Sequence, residues 1–297
     1  MFGKRIVTFF ARQPAQDTRS DLIARIRAGE HSQALQAVDE LRSRGWLADG
    51  SLEWAELAEA DLHGANLAGA DLGGAMLNRA DLEGAALVGA VLHLASLVQA
   101  NLRGADLTGA HLELSNLTGA DLRAANLSRA DLRGGVRLNQ ANLEEADLSR
   151  ALLDTSVVKN ASLYGANLAG ASIRRVNLDS ARMAGTSLQR ADLTCSYLQG
   201  ADLSRADLAG ANLSSTDLAG ADLQKASLQG ATLHLTTLRD TSLFMANLQG
   251  ARGLTFEQLC QARTLQGARL PDGSLLPYTS DWRKSLRAWF GEMARAA

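Results

Sequence analysis

A leucine stands at every fifth position from Leu57 to Leu132 without a miss. After Arg133-Gly134-Gly135-Val136-Arg137 the series slips by one residue, resumes at Leu138 and runs to Leu248. Of these 39 central positions 36 are Leu, and the others are Val158, Ile173 and Met183. Two residues before each lies a small or β-branched residue. It is Ala in 30 cases and otherwise Ser115, Val136, Ser156, Val176, Thr186, Ser196, Thr216, Thr236 or Thr241. A period of five fits neither the 3.6 of a helix nor the simple alternation of a strand. Each pentad must therefore hold a short extended piece and a turn, so that inside and outside recur every five residues.

Glycine marks the turn. It recurs at the second position after the leucine, as at Gly64, Gly69, Gly74, Gly104, Gly109 and Gly119, where a type II turn requires positive φ. If each pentad turns the chain by about 90°, four pentads close a square coil. Stacked at about 4.8 Å, roughly ten such coils make a rod of about 47 Å.

The pattern A-(D/N)-L-x-x, as in Ala60-Asp61-Leu62-His63-Gly64 and Ala201-Asp202-Leu203-Ser204-Arg205, resembles the pentapeptide-repeat family over about two thirds of the chain. The resemblance implies an all-β solenoid, a right-handed quadrilateral β-helix with small helical caps. In that fold the central Leu and the small residue two before it point inward, and the other three positions face water. A core so narrow has room for one Leu and one Ala per side, in keeping with an aromatic content of 4%.

A solenoid exposes unpaired backbone at both ends. We divide the chain into an N-terminal cap over 1–50, repeats over 51–253 and a C-terminal cap over 254–297. Leu22, Ile23 and Ile26, then Ala34, Leu35, Val38 and Leu41, predict two helices within 17–44, with Gly29 and Gly45 at their ends. Trp46, Leu47 and Trp54 are expected to join them to the first coil. Thr255-Phe256-Glu257-Gln258 is a capping box that opens a short helix to about Arg263. Ala268-Arg269-Leu270 repeats the inward pair, and Pro271 after it blunts the last edge. A helix after Ser280 gathers Trp282, Leu286, Trp289, Phe290 and Met293 on one face, away from Arg283, Lys284 and Arg287. That face serves capping or self-association, giving a monomer or a homodimer. Contact with a membrane surface, aided by Phe2, Lys4, Arg5, Phe9 and Phe10, is a further reading.

None of G-x-S-x-G, G-x-x-x-x-G-K-[ST], H-E-x-x-H or C-x-x-C occurs, so no catalytic residue, cofactor or metal ligand is expected. His93, His111 and His234 share one side, but His93 and His234 lie about 34 Å apart, too far for one ion. A net charge of −2 argues against direct nucleic-acid binding. Two cysteines, Cys195 and Cys260, fit a reducing compartment. No apolar run reaches the roughly 18 residues of a membrane span, and the opening segment has no leader-cleavage signature. A cytoplasmic location is expected.

Some pentapeptide-repeat proteins mimic duplex DNA and bind DNA gyrase, so the resemblance brings gyrase in as a possible partner. The repeats carry 21 acidic and 15 basic residues over 55–250. Sorted by side, no side exceeds −3, because Arg103, Arg123, Arg182 and Arg205 interleave with the aspartates. A mixed surface makes a weak DNA mimic, so gyrase inhibition or protection stands as the alternative. The leading expectation is a non-catalytic scaffold that binds an unidentified protein through the side of Leu72. There Val91, Leu94, Leu114, Leu152 and Leu235 are outward apolar residues that the repeat does not require.

Overall fold

In the pentad at Leu62, Leu62 and Gly64 donate their N–H groups to the Asp81 and Glu83 carbonyls of the next coil, both at 2.7 Å. Ala65 closes the turn on the Leu62 carbonyl at 3.0 Å, and Asp81 donates back to Ala60 at 2.9 Å. The fifth N–H, that of His63, is left to the Asp61 carboxylate. The same side-chain bond meets the N–H of Glu83, Thr108, Thr118 and Ser149 at 2.9–3.1 Å. Asp or Asn before the leucine is thus an acceptor for the one backbone donor that the ladder leaves over.

Where that acceptor is missing, the preceding coil supplies one. Ser96, Ser172 and Tyr197 occupy the place of the Asx residue. There Asn78, Asp154 and Asp179 accept from the N–H groups of Val98, Arg174 and Gln199, at 3.1, 2.9 and 3.0 Å.

The computed structural model describes residues 17–296, with side chains up to Gly291. The repeats form a solenoid whose rungs are single parallel bridges between residues twenty apart, such as Glu56 with Met76 and Asp61 with Asp81. Four columns of rungs run along it; one passes through Glu56, Met76, Ser96, Asn116 and Arg137 to Thr237. No rung is longer than one residue in these columns, because the turn consumes the rest of each pentad.

The central leucines and the alanines before them are buried, at 0–1% exposure through most of the rod. Each leucine contributes about 1.5–3 kcal/mol by leaving water. Most buried hydroxyls in the alanine position are bonded. Thr186, Thr216, Thr236 and Thr241 donate to the carbonyls of Leu163, Leu193, Leu213 and Leu218 at 2.7–3.0 Å. Ser115 and Ser156, which bracket Val136, find no partner.

Those two flank the extra residue. Gly134 and Gly135 take φ of +77° and +90° in succession, a pair that only glycine adopts cheaply. Beyond them the ladder offset changes from twenty to twenty-one, as in Asn116 with Arg137, and reverts one coil later. Deleting Gly135 is therefore expected to cost no more than about 1 kcal/mol, or 2–4 °C of melting temperature. An extra residue after Gly104 breaks the register of an uninterrupted run and costs far more. Equal losses in the two melts contradict the bulge.

The turn carries one lesson about glycine. Twenty-three non-glycine residues occupy the same corner position with φ between +54° and +68°, so the fold imposes the left-handed conformation whether or not glycine is there.

At the N-terminal end, α1 (Arg19–Ala28) opens with a capping box between Thr18 and Asp21, and α2 (His31–Ser43) follows. Leu22, Ile26, Ala37, Val38 and Leu41 join one buried cluster with the first coil. The Leu47 carbonyl accepts the Asp71 N–H at 2.7 Å, extending the ladder toward the helices. Gly45 has φ of +71°, but Gly29 is extended, at −79°. Gly29 is required for space, since a Cβ there would stand 2.3 Å from the Arg25 carbonyl. Trp54 is 61% exposed, with its ring laid on Gly74 of the next coil.

At the other end α3 (Phe256–Cys260) has the Thr255–Gln258 capping box but stops short of Arg263. Arg263 donates to the Thr241 carbonyl at 2.9 Å, so the chain has already rejoined the ladder. Arg269 pairs with Asn247, and an antiparallel bridge to Leu275 folds the chain over that edge. α4 (Trp282–Ala296) begins after Asp281, whose carbonyl accepts from Lys284 and Ser285.

Candidate functional site

The corner two residues past each leucine on the side of Leu72 passes through Trp54, Gly74, Leu94, Leu114 and Gly134 in successive coils. Trp54, Leu94 and Leu114 have φ of 56°, 59° and 61°, a region that costs an ordinary side chain about 1–2 kcal/mol. They are 61%, 44% and 56% exposed, so their own chain buries little of them. Trp54 leans over Gly74, and Leu114 reaches to 3.7 Å of where a Gly134 Cβ would stand. The result is a strip of apolar side chains about 14 Å long over three coil steps from Trp54 to Leu114, flanked in the same coils by Glu53, His93, Glu113 and Arg133.

Val91 lies half-buried beside this strip, between Asp71 and His111 on its column. Leu152 is also half-buried, two rungs beyond His111. Leu235 is 68% exposed but far along the rod, separated by Thr155, Arg175, Cys195 and Ser215 at the intervening corners. The structure therefore brings Val91, Leu94 and Leu114 together and leaves Leu152 and Leu235 apart. The sequence places Trp54 at the cap junction, not on this corner column. Its offset of two from Leu52, one pentad before the series begins, was the available signal.

On α4, Trp282 and Leu286 are 3% and 0% exposed. Trp289 and Phe290 pack against the same core, Phe290 edge-on to Phe256 at 5.2 Å. Trp289 Nε1 donates to Asp272 at 2.7 Å, and the Arg283 guanidinium lies 4.3 Å from the Trp282 ring. The Met293 side chain and Phe2, Lys4, Arg5, Phe9 and Phe10 fall outside the described residues. No helix among the described residues is long and apolar enough to cross a membrane.

Charges on several sides of the rod, including that of Leu72, are neutralised locally. Glu83, Arg103, Arg123 and Glu144 stack in consecutive coils around one shallow groove. Arg123, Arg133 and Arg174 bond to Asp121, Asp131 and Asp154. The hydrogen bond from Arg123 holds the Asp121 carboxyl below its ordinary range, and that from Arg133 does the same for Asp131.

Two side-chain clusters escaped the sequence reading, because their members lie far apart in sequence or are hidden in the repeat. His31, Asp61 and His63 converge at the junction of α2 and the first coil, and His111, Glu113 and Asp131 converge beside Val91. Cys195 and Cys260 are free thiols.

Coils stacked in register by four columns of bridges, with leucine and alanine inside and a continuous outer surface, define a repeat solenoid. The chain belongs to the pentapeptide-repeat family, whose model "Pentapeptide repeats" matches it in eight copies over segments running from 55–93 to 216–252. Among solved structures it is similar to HetL, a pentapeptide repeat protein involved in heterocyst differentiation regulation from the cyanobacterium Nostoc sp. strain PCC 7120. The two are 30% identical with a TM-score of 0.60, over 81% of this chain and 98% of HetL. Rfr23 from the cyanobacterium Cyanothece 51142 is 34% identical over 32% of this chain and 63% of its own, with a TM-score of 0.28. QnrB1, a plasmid-mediated fluoroquinolone resistance protein, is 17% identical over 73% of this chain and 92% of its own, with a TM-score of 0.37. No curated protein sequence matches the chain.

Proposed function

We propose that the chain is a right-handed rod of about ten coils, capped by helices at both ends, that works as a non-catalytic cytoplasmic scaffold for protein–protein interaction. The observation that carries this reading is the strip of Trp54, Leu94 and Leu114. Large apolar side chains stand there at corners filled elsewhere by glycine or mostly by polar residues, and remain 44–61% exposed. Polar and charged residues fill most of the other non-glycine corners, so the turn itself does not require three large apolar side chains on one column. The likeness to HetL, a protein of differentiation control, supports a regulatory partner.

The double variant Leu94→Gly/Leu114→Gly separates binding from folding. Each exchange relieves about 1 kcal/mol of left-handed strain, so the variant is expected to melt no lower than the parent. In a pull-down from the native cell read by mass spectrometry, the partner held by the parent is expected to disappear. Unchanged capture, or a marked fall in melting temperature, refutes the assignment.

DNA gyrase remains the alternative partner through mimicry of duplex DNA. The aspartates that suggested it serve the chain's own backbone N–H groups, and arginines accompany several of them, so the field around the rod is weak. A supercoiling assay decides between the readings: gyrase inhibition at low protein concentration would reverse their order.

A further inference from the structure

His31 is the first residue of α2, and Asp61 and His63 flank Leu62 on the first coil. Both imidazoles aim Nδ1 at one carboxylate oxygen, Asp61 Oδ1, at 3.1 Å from His31 and 2.7 Å from His63. The rings are stacked, with centroids 3.4 Å apart and planes 8° from parallel. The three donor atoms lie within 4.8 Å of one another.

Each donor is placed by backbone. Asp61 is oriented by its bond to the His63 N–H. His63 is set by the tight turn, and His31 is carried in by α2, whose Ala34, Ala37, Val38 and Leu41 are buried. The side chains keep 31%, 42% and 49% exposure for His31, Asp61 and His63, so water and ions reach them. An ion of the zinc class sits about 2.0–2.1 Å from nitrogen and oxygen donors, which sets neighbouring donors roughly 2.9–3.4 Å apart. The two observed separations need only a few tenths of an ångström of adjustment, and the stacked rings must rotate so that both Nδ1 lone pairs converge on one ion. Two imidazoles with one carboxylate suit borderline transition metals rather than magnesium or calcium.

The geometry points to a binding site for a divalent transition-metal ion, held by Nδ1 of His31, Nδ1 of His63 and the Asp61 carboxylate, that staples α2 to the first coil. Water completes the coordination. This site is independent of the apolar strip, which lies on another column. The cluster of His111, Glu113 and Asp131 makes a natural control. There the Arg133 guanidinium already bonds both oxygens of Asp131, and its positive charge opposes a cation.

The test uses the untagged full chain, stripped with chelator and dialysed. Cobalt(II) and zinc are the probes, read by calorimetry, by the visible bands of bound cobalt and by melting temperature with and without zinc. The expected result is one equivalent of ion, cobalt bands typical of nitrogen and oxygen ligands, and a melting temperature raised by zinc. His63→Ala and the polar variant His31→Gln are expected to bind at least about tenfold more weakly and to lose the zinc-dependent rise, while His111→Ala behaves like the parent. The zinc-dependent difference is read within each variant, so a variant that merely loosens the end of the rod is still informative. Absence of stoichiometric binding by the parent overturns the proposal and leaves a hydrogen-bonded contact. So does equal binding by His31→Gln, or loss of binding in His111→Ala instead.

Discussion

Ala105→Phe is expected to cost well above the roughly 1–3 kcal/mol of ordinary overpacking, whereas Thr108→Phe should stay within about 0.5 kcal/mol of the parent. Ala105 is 0% exposed. Its N–H bonds the Leu102 carbonyl at 3.1 Å, and its carbonyl accepts from Asn126 at 2.9 Å. Ala85 and Ala125 hold the same place in the coils before and after it. A ring at 105 therefore cannot move the backbone aside without breaking ladder bonds to the next coil. A globular core spreads such strain over many soft neighbours; a square tube has none to spare. Thr108 points away from the rod and bonds Asp106 through its side chain, so a ring there loses one polar contact and meets solvent. Thermal melts of the two variants settle the matter, and equal melting temperatures refute the assignment of inside and outside.

Truncation after Pro277 is expected to turn a soluble chain into one that associates end to end. Removing α4 uncovers the surface on which Trp282 and Leu286 are buried, together with Phe256 on α3. Several hundred Å² of apolar area, at about 25 cal/mol per Å², amounts to several kcal/mol. It also removes the Arg283 bond to the Ala262 carbonyl at 3.3 Å. An apolar end with nearby free backbone groups is a template for stacking. Light scattering on the intact and truncated chains distinguishes the roles of this helix. An intact monomer whose truncated form associates supports docking on the rod, while an intact dimer that becomes a soluble monomer supports self-association. A truncated chain that stays monomeric and equally stable excludes both.

Period, phase and composition determined the rod. Five-residue spacing of leucine, with a small residue two places before, admits only a coil that turns once per pentad, and the six-residue step from Leu132 to Leu138 located the bulge at Gly134-Gly135. Such features are legible because a repeat places each residue in a local environment set by its position in the pentad. The capping box at Thr255 is local in the same sense, as it needs only residues three apart.

Tertiary structure decided what depends on which residues stack twenty apart and on how the non-repeating ends settle. Asn78, Asp154 and Asp179 look like ordinary outward residues until the next coil places an unbonded N–H above them. Leu94 and Leu114 carry positive φ because coil closure imposes it, and Trp54 joins their corner because it keeps the same offset one pentad before the leucine series. His31 meets Asp61 and His63 across some thirty residues only after α2 has packed. α3 ends at Cys260 because the ladder reclaims the chain at Arg263, a competition between helix propagation and an open sheet edge that no local signal records. Periodicity specifies contacts that every coil repeats, whereas the caps and clusters arise from contacts made once, whose partners are chosen by packing.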